Sequence, residues 1–350
     1  MLPSPTLAMP TPARTARRPV AAWLLGLLGV LALLCAILAS ICVGLVGIPP
    51  VEALRALVSP SAADVQTAAI IWSIRLPRTV VAVIVGGALA GVGVALQAVF
   101  RNPLADPGVT GVSAGAAVGA VSGITLGLAG SLQWGVPLAA CAGALVVALI
   151  LQAVIQLVRS ASPHTLILVG VAINAFAGAI IAILIANAHD DALVRGAMFW
   201  LAGDLDLRTW SHAAIAVVPA ALGLALLLFR TRALDALLLG DDVAETSGFD
   251  AARTRLLLLL ITSLITGAAV AVSGVIAFVG LVVPHAVRLV LGGRHARLLP
   301  VSILCGALFL LIADALARTA FGEVAVQTGA VCAVIGAPVF LLLLLARRRG

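Results

Sequence analysis

The sequence predicts an all-α, polytopic membrane protein with about ten transmembrane helices. Three observations carry that reading. Of 350 residues, 63% are hydrophobic and 10% charged, against roughly 25% charged in soluble domains; the mean hydropathy is +1.22. Apolar runs of about 20 residues recur along the chain, the length a helix needs to cross a ~30 Å hydrocarbon core. These runs are unbroken, as at 256–272, where a membrane β-barrel would alternate over segments of about ten residues.

Residues 1–20 hold five prolines and three arginines without apolar periodicity, which predicts a short disordered cytoplasmic tail. The rest, 21–350, reads as one transmembrane domain. The run at 20–46 is too long for the ~7–15-residue core of a signal peptide, so the first span falls at 21–46. The others follow at 79–99, 109–130, 134–158, 165–187, 211–229, 254–272, 274–291, 299–317 and 328–346. In the third, Gly111, Gly115, Gly119, Gly123 and Gly127 recur every fourth residue, a bare face that lets a neighbouring helix approach closely in lipid. The eighth is interrupted by Gly280 and Pro284, which predicts a short or broken helix. "GGALAGVGVALQAVF" (86–100) can be laid on "TGAAVAVSGVIAFVG" (266–280) with five spans between them. An odd separation of this kind predicts inverted five-helix repeats.

Orientation follows from arginine. With the N-terminus inside, the inner segments hold Arg14, Arg17, Arg18, Arg101, Arg159, Arg230, Arg232, Arg253, Arg255, Arg288, Arg294, Arg297, Arg347, Arg348 and Arg349, which is 15 of the 21 basic residues. The positive-inside rule therefore places both termini in the cytoplasm. Arg55, Arg75, Arg78, Arg195, Arg208 and Arg318 remain outside. Arg75 and Arg78, in "IRLPRTV" (74–80), oppose the local charge bias and need a reason other than topology.

Several function classes are excluded by composition. The chain has no lysine, so it contains no Walker A motif; any ATP is hydrolysed by another subunit. Its five histidines show no HExxH spacing and no G-x-S-x-G elbow is present, so no enzyme, cofactor or metal site is expected. Cys35, Cys42, Cys141, Cys305 and Cys332 lie in or beside apolar runs without CxxC spacing, as packing residues do. The net charge of +7 and pI near 10.7 come from arginines scattered between spans without interleaved aromatics, which reads as topology and not as nucleic-acid binding. Intramembrane polar residues are few: Gln97, Gln152, Gln156, Asn174 and Asp314. Asp314 is the one candidate for ion coupling, against which stands an i,i+4 structural pair with Arg318.

The segment 230–255, "RTRALDALLLGDDVAETSGFDAARTR", is amphipathic and mixed in charge. Its leucine spacing predicts one or two short helices on the membrane surface, broken at Gly240 and Gly248, suited to receive a soluble partner.

Seven stretches then combine: "RLPRT" (75–79), "RNPLADPGVTGVSAGA" (101–116), "FWLAGDL" (199–205), "LGDDVAETSG" (239–248), "SGVIAFVGLVVPHAVRLVLG" (273–292), "HARLLPVSILCGALFLLIADALAR" (295–318) and "IGAPVF" (335–340). Together they resemble the permease subunits of binding-protein-dependent ABC importers for iron siderophores, haem and vitamin B12, the FecCD type. The resemblance implies a ten-span, vitamin B12 importer permease-like fold. It implies a second permease subunit as homo- or heterodimer partner, two cytoplasmic ATPase subunits, an extracytoplasmic binding protein and a prokaryotic cell-membrane location. It assigns binding-protein docking to Arg75, Arg78 and Arg318. It assigns ATPase coupling to Ala236, Leu237, Leu238, Leu239, Gly240, Asp241, Asp242, Val243, Ala244, Glu245, Thr246, Ser247 and Gly248. A looser match makes Ser160, Ser162, His164 and Thr165 a cytoplasmic gate.

The chain departs from the family pattern at Gln327, Thr328, Gly329 and Cys332 ahead of "IGAP", at Asp204 and at Ser247. The function implied is inward transport of an iron-siderophore-type chelate, or of haem or cobalamin, by alternating access. The alternative is an ion-coupled secondary transporter.

Overall fold

A computed structural model describes residues 19–44, 46–128, 134–157, 163–320 and 326–347. Most of the expected tail, 1–18, lies outside the described residues. Among these residues the chain is helical and without strands, as its unbroken apolar runs require. Helix α1 is Pro19–Cys42 and α2 is the short Pro50–Val58. Helix α3 (Val65–Ile70) continues through a π-turn, Ile71–Arg75, into α4 (Leu76–Val99). Pro77 explains the π-turn, because its ring lacks an N–H and clashes with the carbonyl four residues before it.

Then come α5 (Val112–Thr125), α6 (Gly135–Leu157), α7 (Pro163–Ala186), α8 (Asp191–Leu201) and α9 (Trp210–Phe229). The short pair α10 (Thr231–Leu239) and α11 (Asp241–Thr246) occupies the amphipathic segment. The chain closes with α12 (Ala251–Ser273), α13 (Val279–Leu291), α14 (His295–Thr319) and α15 (Thr328–Arg347).

A helix occupies each of the ten expected intervals. Six are long and apolar enough to cross a membrane, while Gly26–Cys42, Val112–Thr125, Val279–Leu291 and Thr328–Leu343 are shorter apolar helices. Helices α4 and α12 form the centre: the apolar window of α4 is 83% buried against 17% for α7. The bundle therefore has a core pair and a rim.

Small residues bring backbones together across this core. Gly115, Gly119 and Gly123 of α5 face α6, where a Cβ on Gly143 would lie 2.9 Å from the carbonyl carbon of Gly115. The expected packing role of the stripe therefore holds at its middle; Gly127 meets nothing within 4 Å. Gly93, three-quarters along α4, approaches Gly280 at the start of α13, which in turn meets the Pro107 ring. The start of α13 and the turn leading into α5 thus meet beside the second half of α4. Both helices follow segments that turn back into the bundle, 101–111 and 274–278; the interruption expected at Gly280 and Pro284 falls instead at 274–278, and both residues lie within the short helix α13.

Candidate functional site

Two polar clusters sit at opposite ends of α4, whose 24 residues separate them by ~36 Å, more than a hydrocarbon core.

At the Arg78 end the organising group is Asp314 of α14, whose side chain is 0% exposed. Arg78 donates to it from Nε at 3.0 Å and from Nη2 at 2.9 Å. Arg318, one turn along α14, reaches it at 3.1 Å, and Thr328 at the start of α15 donates its hydroxyl at 3.0 Å. Arg318 also donates to the carbonyl of Val43 at 2.8 Å and to the Ser40 hydroxyl at 3.0 Å. One carboxylate therefore ties α4, α14 and α15 together, and through Arg318 the end of α1.

Arg75 faces elsewhere. It is 6% exposed and donates to the carbonyls of Ile41 at 2.6 Å, Cys42 at 2.9 Å and Val46. The first two carbonyls belong to the end of α1, which lacks intrahelical donors, and a cation is favoured there by the helix dipole; Val46 lies just beyond it. The wider π-turn rotates the residues before Leu76 relative to those after it, so two arginines three residues apart serve different neighbours.

The outward side of Arg78 holds a second acid, Asp206, at 2.7 Å and with 60% of its side chain exposed. The segment 202–209 is fixed by the Asp204 amide on the Ser273 carbonyl and the Gly329 amide on the Gly203 carbonyl, both at 2.8 Å. Asp204 also accepts from the Asp206 amide at 2.9 Å, and Leu207 has φ 55, a left-handed backbone that costs energy for a non-glycine residue. Beside them, Trp210 donates to the carbonyl of Trp72 and Trp72 to that of Ala56, each at 2.9 Å, as in an interfacial aromatic belt. Sequence reading missed Asp206. The available signal was an acid two residues beyond Asp204 on a segment shared with Arg208.

At the Arg101 end the segment α10–α11 is anchored to three helices. Asp241 opens α11 and accepts from Arg101, just past α4, and from Arg255 of α12 at 2.7 Å. Arg101 Nε donates to the carbonyl of Leu237 at 2.9 Å. Asp235 of α10 accepts from the His295 amide at 3.0 Å and contacts its ring at 2.6 Å, at the start of α14. Ala236, Leu237 and Ala244 are buried beneath, while Leu239 is 72% exposed and Asp242, Val243, Glu245, Thr246, Ser247 and Gly248 face outward. Leu238 and Asp241 lie between these extremes, and Gly240 adopts φ 140 at the hinge between the helices. Asp235 and His295 were not foreseen, because nothing local links residues 60 apart.

Of the expected gate, Ser160 and Ser162 lie outside the described residues, and His164 and Thr165 stand in the first turn of α7.

A helical bundle with six helices long and apolar enough to cross a membrane, and a polar anchor at either end of its central helix, is that of a multi-pass membrane protein. The chain belongs to the FecCD transport family, whose match covers residues 31–346. It is 44% identical over 275 residues to the cobalamin import system permease protein BtuC of Halobacterium salinarum, covering 79% of this chain and 73% of that protein. It is 40% identical over 304 residues to the Fe(3+) dicitrate transport system permease protein FecD of Escherichia coli, covering 87% and 93%. To the hemin transport system permease protein HmuU of Yersinia pestis it is 39% identical over 290 residues, covering 79% and 84%. A solved structure described as an inward-facing conformation of an ABC transporter of metal-chelate type superposes with a TM-score of 0.81 at 28% identity. That match covers 94% of this chain and 100% of the other.

Proposed function

We propose that the chain is the permease subunit of an ABC importer that carries an iron-siderophore-type chelate, haem or cobalamin inward by alternating access. It crosses the membrane ten times with both termini in the cytoplasm and pairs with a second permease. Two ATPase subunits engage the Arg101 end, and an extracytoplasmic binding protein docks at the Arg78 end.

The observation that carries this reading is the mounting of α10–α11. An amphipathic pair that merely floated at the interface would need no ion pairs to the bundle. This one is tied to the ends of α4, α12 and α14, so a force applied to it moves the central helices. The relatives' cargoes, cobalamin, ferric dicitrate and hemin, support a bulky chelate. The packing supports inverted repeats: α4 lies on α14 as α12 lies on α6, and α5 lies on α6 as α13 lies on α14. The exposed rim of α7, with Phe176 at 71% and Ile183 at 63%, suits lipid or the second permease, and the start of α7 remains the proposed gate.

Docking at Arg75, Arg78 and Arg318 is kept as a proposal with a division of labour. Arg75 and Arg318 hold α1 and Asp314; Arg78 alone has an exposed partner to exchange. A binding-protein carboxylate therefore competes with Asp206 for Arg78. Exposed pairs contribute only ~0.2–1 kcal/mol, so the effect falls on steering and rate. Asp206→Asn should speed docking at low salt, and an unchanged rate would argue against Arg78 as the landing residue. For the importer reading, the tagged chain should co-purify with an ATPase in mild detergent. Uptake that persists without ATP would overturn it.

A further inference from the structure

Behind the coupling segment, between the end of α4, α10 and the second half of α13, lies a cavity of about 270 Å³ lined by Gln97, Arg101, Leu238, His285, Arg288 and Leu289. Docking does not use it, and coupling shares only Arg101 and Leu238 with its lining. Its polar lining is specific. Arg288 places Nε and Nη2 in buried positions with no hydrogen-bond partner among the described residues. These two atoms form one edge of the guanidinium, the edge that receives two oxygens of an oxyanion side by side. Asp235 attracts Arg288 electrostatically, but its Oδ1 is already taken by the His295 amide and ring. A half-buried guanidinium with two buried donors left idle is costly.

Gln97 contributes the opposite polarity. It is 1% exposed, and its Nε2 is directed at the carbonyls of Gly280 and Leu281, at 3.4 and 3.5 Å. Its Oε1 is left buried without a donor among the described residues. An occupant that satisfies both groups must offer two acceptor oxygens to Arg288 and an O–H to Gln97. Arg101, committed to Asp241 and Leu237, adds positive charge to the lining. At ~30 Å³ per water, the volume holds one tetrahedral oxyanion with a few waters.

We propose that this cavity binds a protonated phosphate, either free hydrogen phosphate or the phosphomonoester headgroup of a lipid. The proton distinguishes it from sulfate, which has the same shape and no O–H at neutral pH. The inference is independent of the importer reading, since it concerns binding and not uptake.

The test uses the purified full chain, with whatever subunits accompany it, in nanodiscs at pH 7 and constant ionic strength. Its unfolding midpoint is followed against sodium phosphate, sodium sulfate and sodium chloride. In neutral-lipid discs, phosphate should raise the midpoint saturably and more than sulfate. A rise seen only when phosphatidic acid replaces phosphatidylglycerol in the discs would identify the lipid headgroup as the source. Arg288→Gln should weaken half-saturation by about tenfold or more, the loss of charge-assisted bonds. Gln97→Leu keeps both arginines and should abolish the preference for phosphate over sulfate; it decides the matter if Arg288→Gln does not elute like the parent. The proposal fails if neither phosphate nor phosphatidic acid stabilises the parent beyond sulfate and phosphatidylglycerol, or if both variants respond as the parent does.

Discussion

Neutralising Asp314 is the sharpest test of the architecture at the Arg78 end. In the folded chain its buried carboxylate receives Arg78 at 2.9 Å and Arg318 at 3.1 Å. At an effective dielectric of ~20 each pair attracts by roughly 5–6 kcal/mol. Desolvating the three charges offsets most of that gain, so the assembled cluster adds little net stability. Removing one member is different. Asp314→Asn leaves two guanidiniums with side chains 12% and 13% exposed and no central counter-charge. Asp206 remains to Arg78, but at 60% exposure it compensates by about 1 kcal/mol at most. The expected loss is about 3–5 kcal/mol, read as a lowered unfolding midpoint of the detergent-solubilised chain by tryptophan fluorescence. Adding Arg318→Met removes one surplus charge and should recover part of the loss, a coupling that a double-mutant cycle isolates. A variant with the parent's midpoint would refute this reasoning. If Asp314→Asn keeps its midpoint and abolishes only uptake, Asp314 is an ion-coupling group and the chain a secondary transporter.

At the other end, Asp241 is 44% exposed, so Asp241→Asn should cost about 1 kcal/mol or less yet loosen α11 from α4 and α12. Uptake per ATP hydrolysed should fall while the ATPase still co-purifies; unchanged stoichiometry would contradict the coupling role. Asp106, in the segment between α4 and α5, has its carboxyl pushed up by burial from the ordinary 3.8 to about 6, against the Gly108 amide that favours the anion. The folded state therefore binds the proton more tightly than the unfolded one, and this contribution to stability is lost as pH rises from about 4 to 6. The difference in midpoint between parent and Asp106→Asn should change across that window and be flat above it. A Cβ at Gly143 would lie 2.9 Å from Gly115 backbone, whereas one at Gly178 meets nothing within 4 Å. Gly143→Val should therefore destabilise by about 1–3 kcal/mol or more and Gly178→Ala should be neutral or stabilising by up to ~1 kcal/mol, both by thermal unfolding.

Helix placement was legible because apolar period and length are local properties. The interval 211–229 became Trp210–Phe229, and 254–272 became Ala251–Ser273. A short eighth helix was legible as well, but its interruption falls at 274–278, ahead of Gly280 and Pro284, which both lie inside α13. Two amphipathic helices between spans, α2 and α8, were not, because nine and eleven residues of mixed polarity carry too weak a pattern. The small-residue stripe announced a close approach but not its partner, which α6 supplied.

The sequence by itself determined that the chain is a helical membrane protein without a Walker A motif, where its long apolar helices lie, and that Arg75, Arg78 and Arg318 need a purpose. Only the tertiary structure decided what each arginine touches. Arg78 meets Asp314 across 236 positions of sequence, and Arg75 turns to the carbonyls of α1 because a π-turn intervenes. Hydropathy reports which residues leave water, and a helical repeat reports neighbours three or four residues away. A buried charge finds its partner through the packing of separate helices, which neither signal encodes.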